Sequence, residues 1–213
     1  MLAVRWYLRY GLSHRDVEEL LVKRGIEVDH VTIHRSIQRL TPPHIDAARP
    51  RRHTVGSRRW FFDETYVKVA EKWRYVYRAV DEQGQVIDVY LSRQRDLVAA
   101  RTFFNAALLA HGNPDEVITD LAQALETVIE ELTPDAFHNT DQYANHRVEC
   151  DHGRLKARLR PMRDLKTDPT ASIAIRGHTF IQNPRRGHNE LGAETGHQHS
   201  RMSAAIAELI ETV

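Results

Sequence analysis

The stretch WFFDETYVKVAEKWRYVYRAVDEQGQVIDVYL (residues 60–91) decides the fold. Residues 60–70, 73–80 and 85–91 within it are rich in aromatic and β-branched side chains, which suit the pleated, half-buried surface of a sheet. Asp81-Glu82-Gln83-Gly84 separates the second and third runs with turn chemistry. Three short strands in succession predict an antiparallel meander. Asp63 breaks the apolar texture of the first. An acid among Trp60, Phe61, Phe62, Tyr66, Val67 and Val69 is costly to bury unless it is paired or bound to a cation. Taken alone it also reads as an acid on an exposed face, with Glu64 turned to the sheet's other side and Lys68 as a cross-strand partner.

Downstream, DLVAARTFFNAALLAHG (96–112) reads as a helix closed by Gly112, VITD (117–120) as a short buried strand, and LAQALETVIEEL (121–132) as a second helix. AFHN (136–139) fits a short strand, and YANHRVECDHGRLKARLR (143–160) a long helix halted by Pro161. The order β-β-β-α-β-α-β-α predicts an α/β (α+β) chain, a mixed five-stranded sheet with flanking helices in the ribonuclease H-like arrangement. Asp120 then falls at the end of a buried strand, where ligands collect in open sheets, and is also a candidate N-cap for the helix after it. On the long helix, residues 149, 152 or 153, 156 and 160 share one face, with Lys156 roughly 10 Å along the axis from Glu149. Val148, Leu155, Leu159 and Met162 form a second, core-facing stripe.

In the deduced fold Asp63, Asp120 and Glu149 converge at one edge of the sheet. Three carboxylates there make an oxygen-only site for two Mg²⁺ or Mn²⁺ ions. Such ions activate a water or a DNA 3′-hydroxyl and stabilise the leaving oxygen during in-line attack on a phosphodiester. The basic face led by Lys156 would hold the phosphate backbone.

Ahead of the meander, residues 2–11 have apolar positions at helical spacing. In LSHRDVEELLVKRG, Ser13 is an N-cap with Asp16 in the capping-box place, and Gly25 is a stop. In DHVTIHRSIQRL, Asp29 is the N-cap and Ile33, Ile37 and Leu40 recur on one face. His30, Thr32, His34, Arg35, Gln38 and Arg39 are left toward the outside. This is a helix-turn-helix pattern, which a plain three-helix bundle would also satisfy. Pro42-Pro43 predicts the end of the segment. The expected organisation is a helix-turn-helix segment over 1–41, a basic linker over 42–58, a catalytic core over 59–190 and a tail over 191–213. The tail's MSAAIAELIETV (202–213) reads as an amphipathic helix for its own domain or a second protomer.

Bulk properties narrow the class. A chain of 213 residues with 41% hydrophobic and 28% charged content has the make-up of a globular protein. The first residues lack the pattern of a secretory leader, and no apolar run approaches a membrane span. Cys150 is the single cysteine, so no internal disulfide forms and a cytoplasmic, nucleoid-associated setting is expected. Beside Glu149 it reads as a packing residue. The histidines around 178–199 match no zinc spacing. Net charge is only +1, yet basic residues crowd 49–59 (Arg51 and Arg52 among them) and 147–166 (Arg154, Arg158, Arg163 and Lys166 among them), around an acidic middle. An anionic polymer could follow the two clusters, though any one charge run is commonly a solvated face.

The stretches VRWYLRYGLSHRDVEELL, DETYVKV, WRYVYRAVD, VITD and ECDHGRLKARLRPM closely resemble the transposases of the insertion-sequence-six family, from about residue 3 to about residue 190. The resemblance implies a retroviral-integrase-like core with a catalytic, metal-holding triad at Asp63, Asp120 and Glu149, and Lys156 as the basic residue seven positions after the glutamate. It also implies a helix-turn-helix that binds the element's terminal inverted repeats, Mg²⁺-dependent strand transfer, double-stranded DNA as partner and a homo-oligomer on DNA. The sequence departs from the family in a shorter start before AVRWYLRY, in Leu121 and His146, and in the 29 positions from Asp120 to Glu149, a short interval for the family. The alternatives are a truncated, catalytically inactive remnant that only binds DNA and a transcriptional regulator, the latter leaving the strand-and-helix core unexplained.

Overall fold

The computed structural model describes residues 2–52, 58–120, 123–141, 144–160, 162, 165–192 and 198–210. Residues 53–57 of the linker, Leu121, Tyr143, Arg163, His197 and the last residues of the tail lie outside them. The chain forms two compact units, one of residues 54–154 and one of residues 1–53 with 155–213.

The first unit is built on a five-stranded sheet. Its strands are β1 (Arg59–Val69), β2 (Lys72–Asp81), β3 (Val86–Ser92), β4 (Glu116–Ile118) and β5 (Phe137–Asn139), in the order β3-β2-β1-β4-β5. β1, β2 and β3 form the antiparallel meander, while β4 and β5 run parallel to β1. Helices α4 (Leu97–His111) and α5 (Gln123–Leu132) follow β3 and β4, and α6 (His146–Leu159) follows β5. The strand order, with three antiparallel strands and two parallel ones, is the ribonuclease H-like arrangement.

Because side chains alternate across a strand, β1 serves two cores. Trp60 and Phe62 face one side and pack with Tyr77, Phe103, Phe104, Val128 and Ile129. Phe61 faces the other and packs with Val80, Val86, Ile118 and Val148 of α6. Phe62 meets Phe104 and Phe103 with ring centroids 4.9 and 5.0 Å apart, tilted, a favourable aromatic geometry. The β1–β2 connection is a two-residue turn in which Ala70 (φ 48°) and Glu71 (φ 62°) both take positive φ. Tight hairpins demand this, and Gly or Asn adopt it at far lower cost.

The second unit is helical: α1 (Leu2–Tyr10), α2 (His14–Val22), α3 (His30–Ala48), α7 (Asp168–Arg186) and α8 (Gln198–Ile210), with the end of α6. Ser13 caps α2 in a full capping box with Asp16, and Asp29 caps α3 through Val31 and Thr32. Val17, Leu21, Ile33 and Ile37 are buried as the periodicity requires. At Gly177 on α7 a Cβ would lie 2.5 Å from Leu8 Cδ2 and 3.2 Å from Thr41 Cγ2, so glycine lets α1 and α3 approach.

Two expectations need correction. Pro42-Pro43 does not end α3, which runs on to Ala48 and into a 3-10 turn at Arg49–Arg51. The helix before these prolines accommodates two missing N–H donors, and Ile45 and Ala48 are buried beyond them. Cys150 is exposed rather than packed. Of the two placements open for the tail helix, the structure has α8 packed on α7 within its own unit, with Ala205, Ile206 and Leu209 buried. Among the described residues no helix is long and apolar enough to cross a membrane.

Candidate active site

The site follows from where β4 stops. Its parallel ladder with β1 ends at Phe61↔Ile118, and among the described residues no strand pairs with β1 beyond that point on that side. Asp63 and Glu64 lie in β1 just past the end of this ladder, and Thr119 and Asp120 follow directly from β4. One carboxylate oxygen from each of Asp63, Glu64 and Asp120 lies within 4.8 Å of the others. Thr119 is held by its N–H to Asn139 O at 3.1 Å and its hydroxyl against His138 Nε2 at 2.8 Å, which fixes the point from which Asp120 projects.

Each acid has its own support. Asp63 Oδ1 accepts from the Glu64 N–H at 2.8 Å, and its Oδ2 lies 3.5 Å from His152 Nε2 on α6. His152 is buried, and among the described residues neither ring nitrogen has a hydrogen-bond partner. Glu64, its side chain only 5% exposed, is held by Arg95 Nε and Nη2 at 3.1 and 3.3 Å. Lys68 does not pair with Asp63; it bonds Glu71 at 3.3 Å.

Crowding shows in the electrostatics. Burial raises the pKa of Glu64, and Asp120 and Asp63 raise it further against the pull of Arg95. Asp120 is exposed as a residue, but partial desolvation of its carboxylate, and then the charge of Asp63, raise its pKa too. Three carboxylates face one guanidinium, and the donors are all oxygen. That set fits a hard divalent cation.

Glu149 is not part of this cluster. It is exposed on α6, with its carboxylate against His146 Nδ1 at 3.0 Å. Its backbone position is nevertheless bracketed by two contacts to β1. Asn145, four residues before, donates from Nδ2 to Phe62 O at 2.8 Å, and His152, three after, reaches Asp63. Residues at those spacings share a helix face. Asp151, buried beside them, pairs with the fully buried Arg78 of β2. Lys156 and Arg154 are exposed on α6, whereas Arg158 is half-buried and donates to Tyr7 O at 3.4 Å. Burial, Arg185 and Arg9 push the Arg158 pKa down to about 10.

On α3, Thr32, Arg35 and Arg39 are exposed at spacings that place them on one face. His30 is bonded to Glu18 at 3.1 Å, His34 stands edge-on to His14 with ring centroids 5.0 Å apart, and Gln38 is half-buried. Arg51 lies 3.8 Å from Glu208, and Arg52 bridges to Asn189. The sequence pattern did not single out Glu64 as a member of the cluster, nor Arg95, His152 or the Arg78–Asp151 pair. Glu64's adjacency to Asp63 was a usable signal, and so was Asp151, three residues after core-facing Val148.

A family model for the DDE domain matches residues 57–188. The chain is 35% identical, over 95% of its length and 93% of theirs, to the transposases for insertion sequence-like element IS431mec and for insertion sequence element IS257 in transposon Tn4003, both of Staphylococcus aureus. Among solved structures it is similar to a chain of the simian T-cell lymphotropic virus intasome bound to a PP2A regulatory subunit (TM-score 0.48, 19% identity, 71% of this chain and 56% of that one). It is also similar to the catalytic core of BIV integrase (TM-score 0.46, 16% identity, 74% and 96%). The chain belongs to the DDE transposases of the insertion-sequence-six family.

Proposed function

We propose that the protein cuts and joins DNA at the terminal inverted repeats of an insertion sequence, with Asp63, Asp120 and Glu149 as the divalent-metal-holding triad. The observation that carries this reading is the convergence of the Asp63 and Asp120 carboxylates, with Glu64, where β4 leaves β1. Two Mg²⁺ or Mn²⁺ ions held there supply activation of the attacking oxygen and stabilisation of the leaving one.

The chain's own residues do the rest. Asp63 accepts its neighbour's N–H and lies 3.5 Å from His152, so its carboxylate is already turned to the site where it would act as a ligand. Glu149 leaves His146 and completes the set from the face of α6 that Asn145 and His152 hold to β1. Arg154 and Lys156, with Arg158 behind them, neutralise phosphates without reading sequence. The segment over residues 1–41, with α2 and the larger part of α3, acts as the DNA-recognising helix-turn-helix. Thr32, Arg35 and Arg39 contact the duplex directly, and His30, His34 and Gln38 border them. Arg51 and Arg52 follow the backbone from the linker side. Two or more copies assemble on the paired ends. An inactive remnant is the weaker reading, because Asp63, Asp120 and Glu149 are all present.

Nicking and joining of a labelled duplex carrying the element's end, with Mg²⁺ or Mn²⁺, tests the reading. Asp63→Asn, Asp120→Asn and Glu149→Gln are each expected to abolish both steps while leaving footprinting at the ends intact. Undiminished joining by any of the three would remove that residue from the triad.

A further inference from the structure

We infer that the outer face of the β1–β2 hairpin is a stacking platform for an unpaired base of the DNA strand lying in the acidic site; this rests on the function proposed above. Glu64, Tyr66 and Lys68 alternate along β1 and so share a face, opposite Tyr77, Tyr75 and Trp73 of β2. The column therefore leads from the acidic cluster out along the hairpin. Tyr66 follows Glu64 by roughly 7 Å at the rise of a strand.

The two faces of this hairpin are treated very differently. On one, Thr65, Val67, Val69 and Val76 are buried. On the other, Tyr66 and Trp73 are 55% and 53% exposed, among the most open aromatic side chains of the chain's described residues. Their ring centroids are 5.0 Å apart at 90°, and Lys68 Nζ lies 5.5 Å from the Trp73 centroid. Tyr75 is half-buried beside them. On this face the cations are Lys68 and, at the Glu64 end, the half-exposed Arg95, while Lys72 and Arg74 pair with Val69 and Val67 on the other face. The hairpin is closed by the turn at Ala70 and Glu71 despite its unfavourable φ values.

The charge and chemistry suit nucleic acid. Exposed aromatic rings interleaved with cations bind single-stranded nucleotides by stacking, which tolerates any sequence because every base has a π-face. A base turned out of the stack next to the reacting phosphate would meet Tyr66 first and Trp73 next. A base still paired in duplex has no face to offer.

Photo-crosslinking of the full chain to a single-stranded oligonucleotide of thymidines carrying 5-iododeoxyuridine tests this without a mutation. Adducts are expected on Tyr66 or Trp73. Adducts found only elsewhere would overturn the proposal. In parallel, Trp73→Ala and Tyr66→Ala are expected to weaken binding of an octathymidylate by about tenfold each, and Trp73→Phe by no more than about threefold. Equal binding by all of them overturns the platform. So does an unchanged affinity accompanied by loss of self-association in sedimentation, which would make this face a contact between copies. Asp120→Asn separates the two readings: it is expected to lose cleavage and keep octathymidylate binding. If Asp120→Asn still cleaved, the catalytic assignment would fail while the platform stood.

Discussion

Asp151 of α6 and Arg78 of β2 form an ion pair in which both side chains are shut from solvent, 2% and 0% exposed. Asp151 lies two residues from Glu149, so the pair fixes α6 to the sheet at the level of the candidate triad. Removing one partner strands the other as a buried, uncompensated charge, at a cost of about 3–5 kcal/mol. Asp151→Asn is therefore expected to lower the urea midpoint strongly. The double change Arg78→Met with Asp151→Leu should recover much of that loss, because two apolar groups leave no orphan charge. Denaturation curves of the two variants check this, and equal midpoints for Asp151→Asn and the parent would refute it.

The acidic cluster predicts a pH signature in the metal-free chain. Glu64 and Asp120 both have raised pKa values in the folded state. Just above the ordinary carboxylate range the folded chain keeps protons that the unfolded chain has released. The stability these groups contribute is thus full below that range and falls as pH rises through the raised values. In chelator at neutral pH, Asp120→Asn is expected to melt higher than the parent by roughly a few degrees, with the difference vanishing in acid. Mn²⁺ should raise the parent's Tm and leave Asp120→Asn nearly unmoved. Melting scans from acid to neutral pH, with and without metal, are the check.

The turn at Ala70 and Glu71 spends stability on two positive φ angles. Each left-handed non-glycine residue costs about 1–2 kcal/mol. Replacing the pair by Asn-Gly should raise stability by about 1–2 kcal/mol with the register Val69↔Lys72 unchanged. Thermal unfolding measures it. A loss of stability would mean that the turn is not the tight hairpin described.

The exposed face of α3 predicts a graded effect on DNA binding. Arg35→Ala and Arg39→Ala should each weaken binding to the element's end and reduce the dependence of log K on log salt by about one unit where a phosphate contact is lost. His30→Ala and His34→Ala should act chiefly through stability, since their rings engage Glu18 and His14. Binding isotherms at several salt concentrations separate the two classes.

Much of this was legible in the residues, for physical reasons. The meander, the helices after it and the caps at Ser13 and Asp29 rest on local chemistry and apolar period, and the structure has them as expected. Pro42-Pro43 misled because a helix with buried residues beyond the prolines outlasts their local cost. α7 passed unread although Thr167, Pro169 and Gly187 mark its ends, since its small residues and histidine blur the apolar stripe. Asp63 and Asp120 were legible as acids at a strand and a strand end. Glu64 was not, because alternation puts it on the opposite face from Asp63, and only the early end of β4 lets its carboxylate approach the other two. The contact of Glu149 with His146 is an i,i+3 pair on α6, legible in the spacing once the helix is placed.

The most direct test of the metal-holding triad is Mn²⁺ binding followed by electron paramagnetic resonance on the full chain without DNA. Binding by the parent is expected to be lost in Asp63→Asn and Asp120→Asn and weakened in Glu149→Gln. Parent-like Mn²⁺ binding by the two aspartate variants would contradict the account.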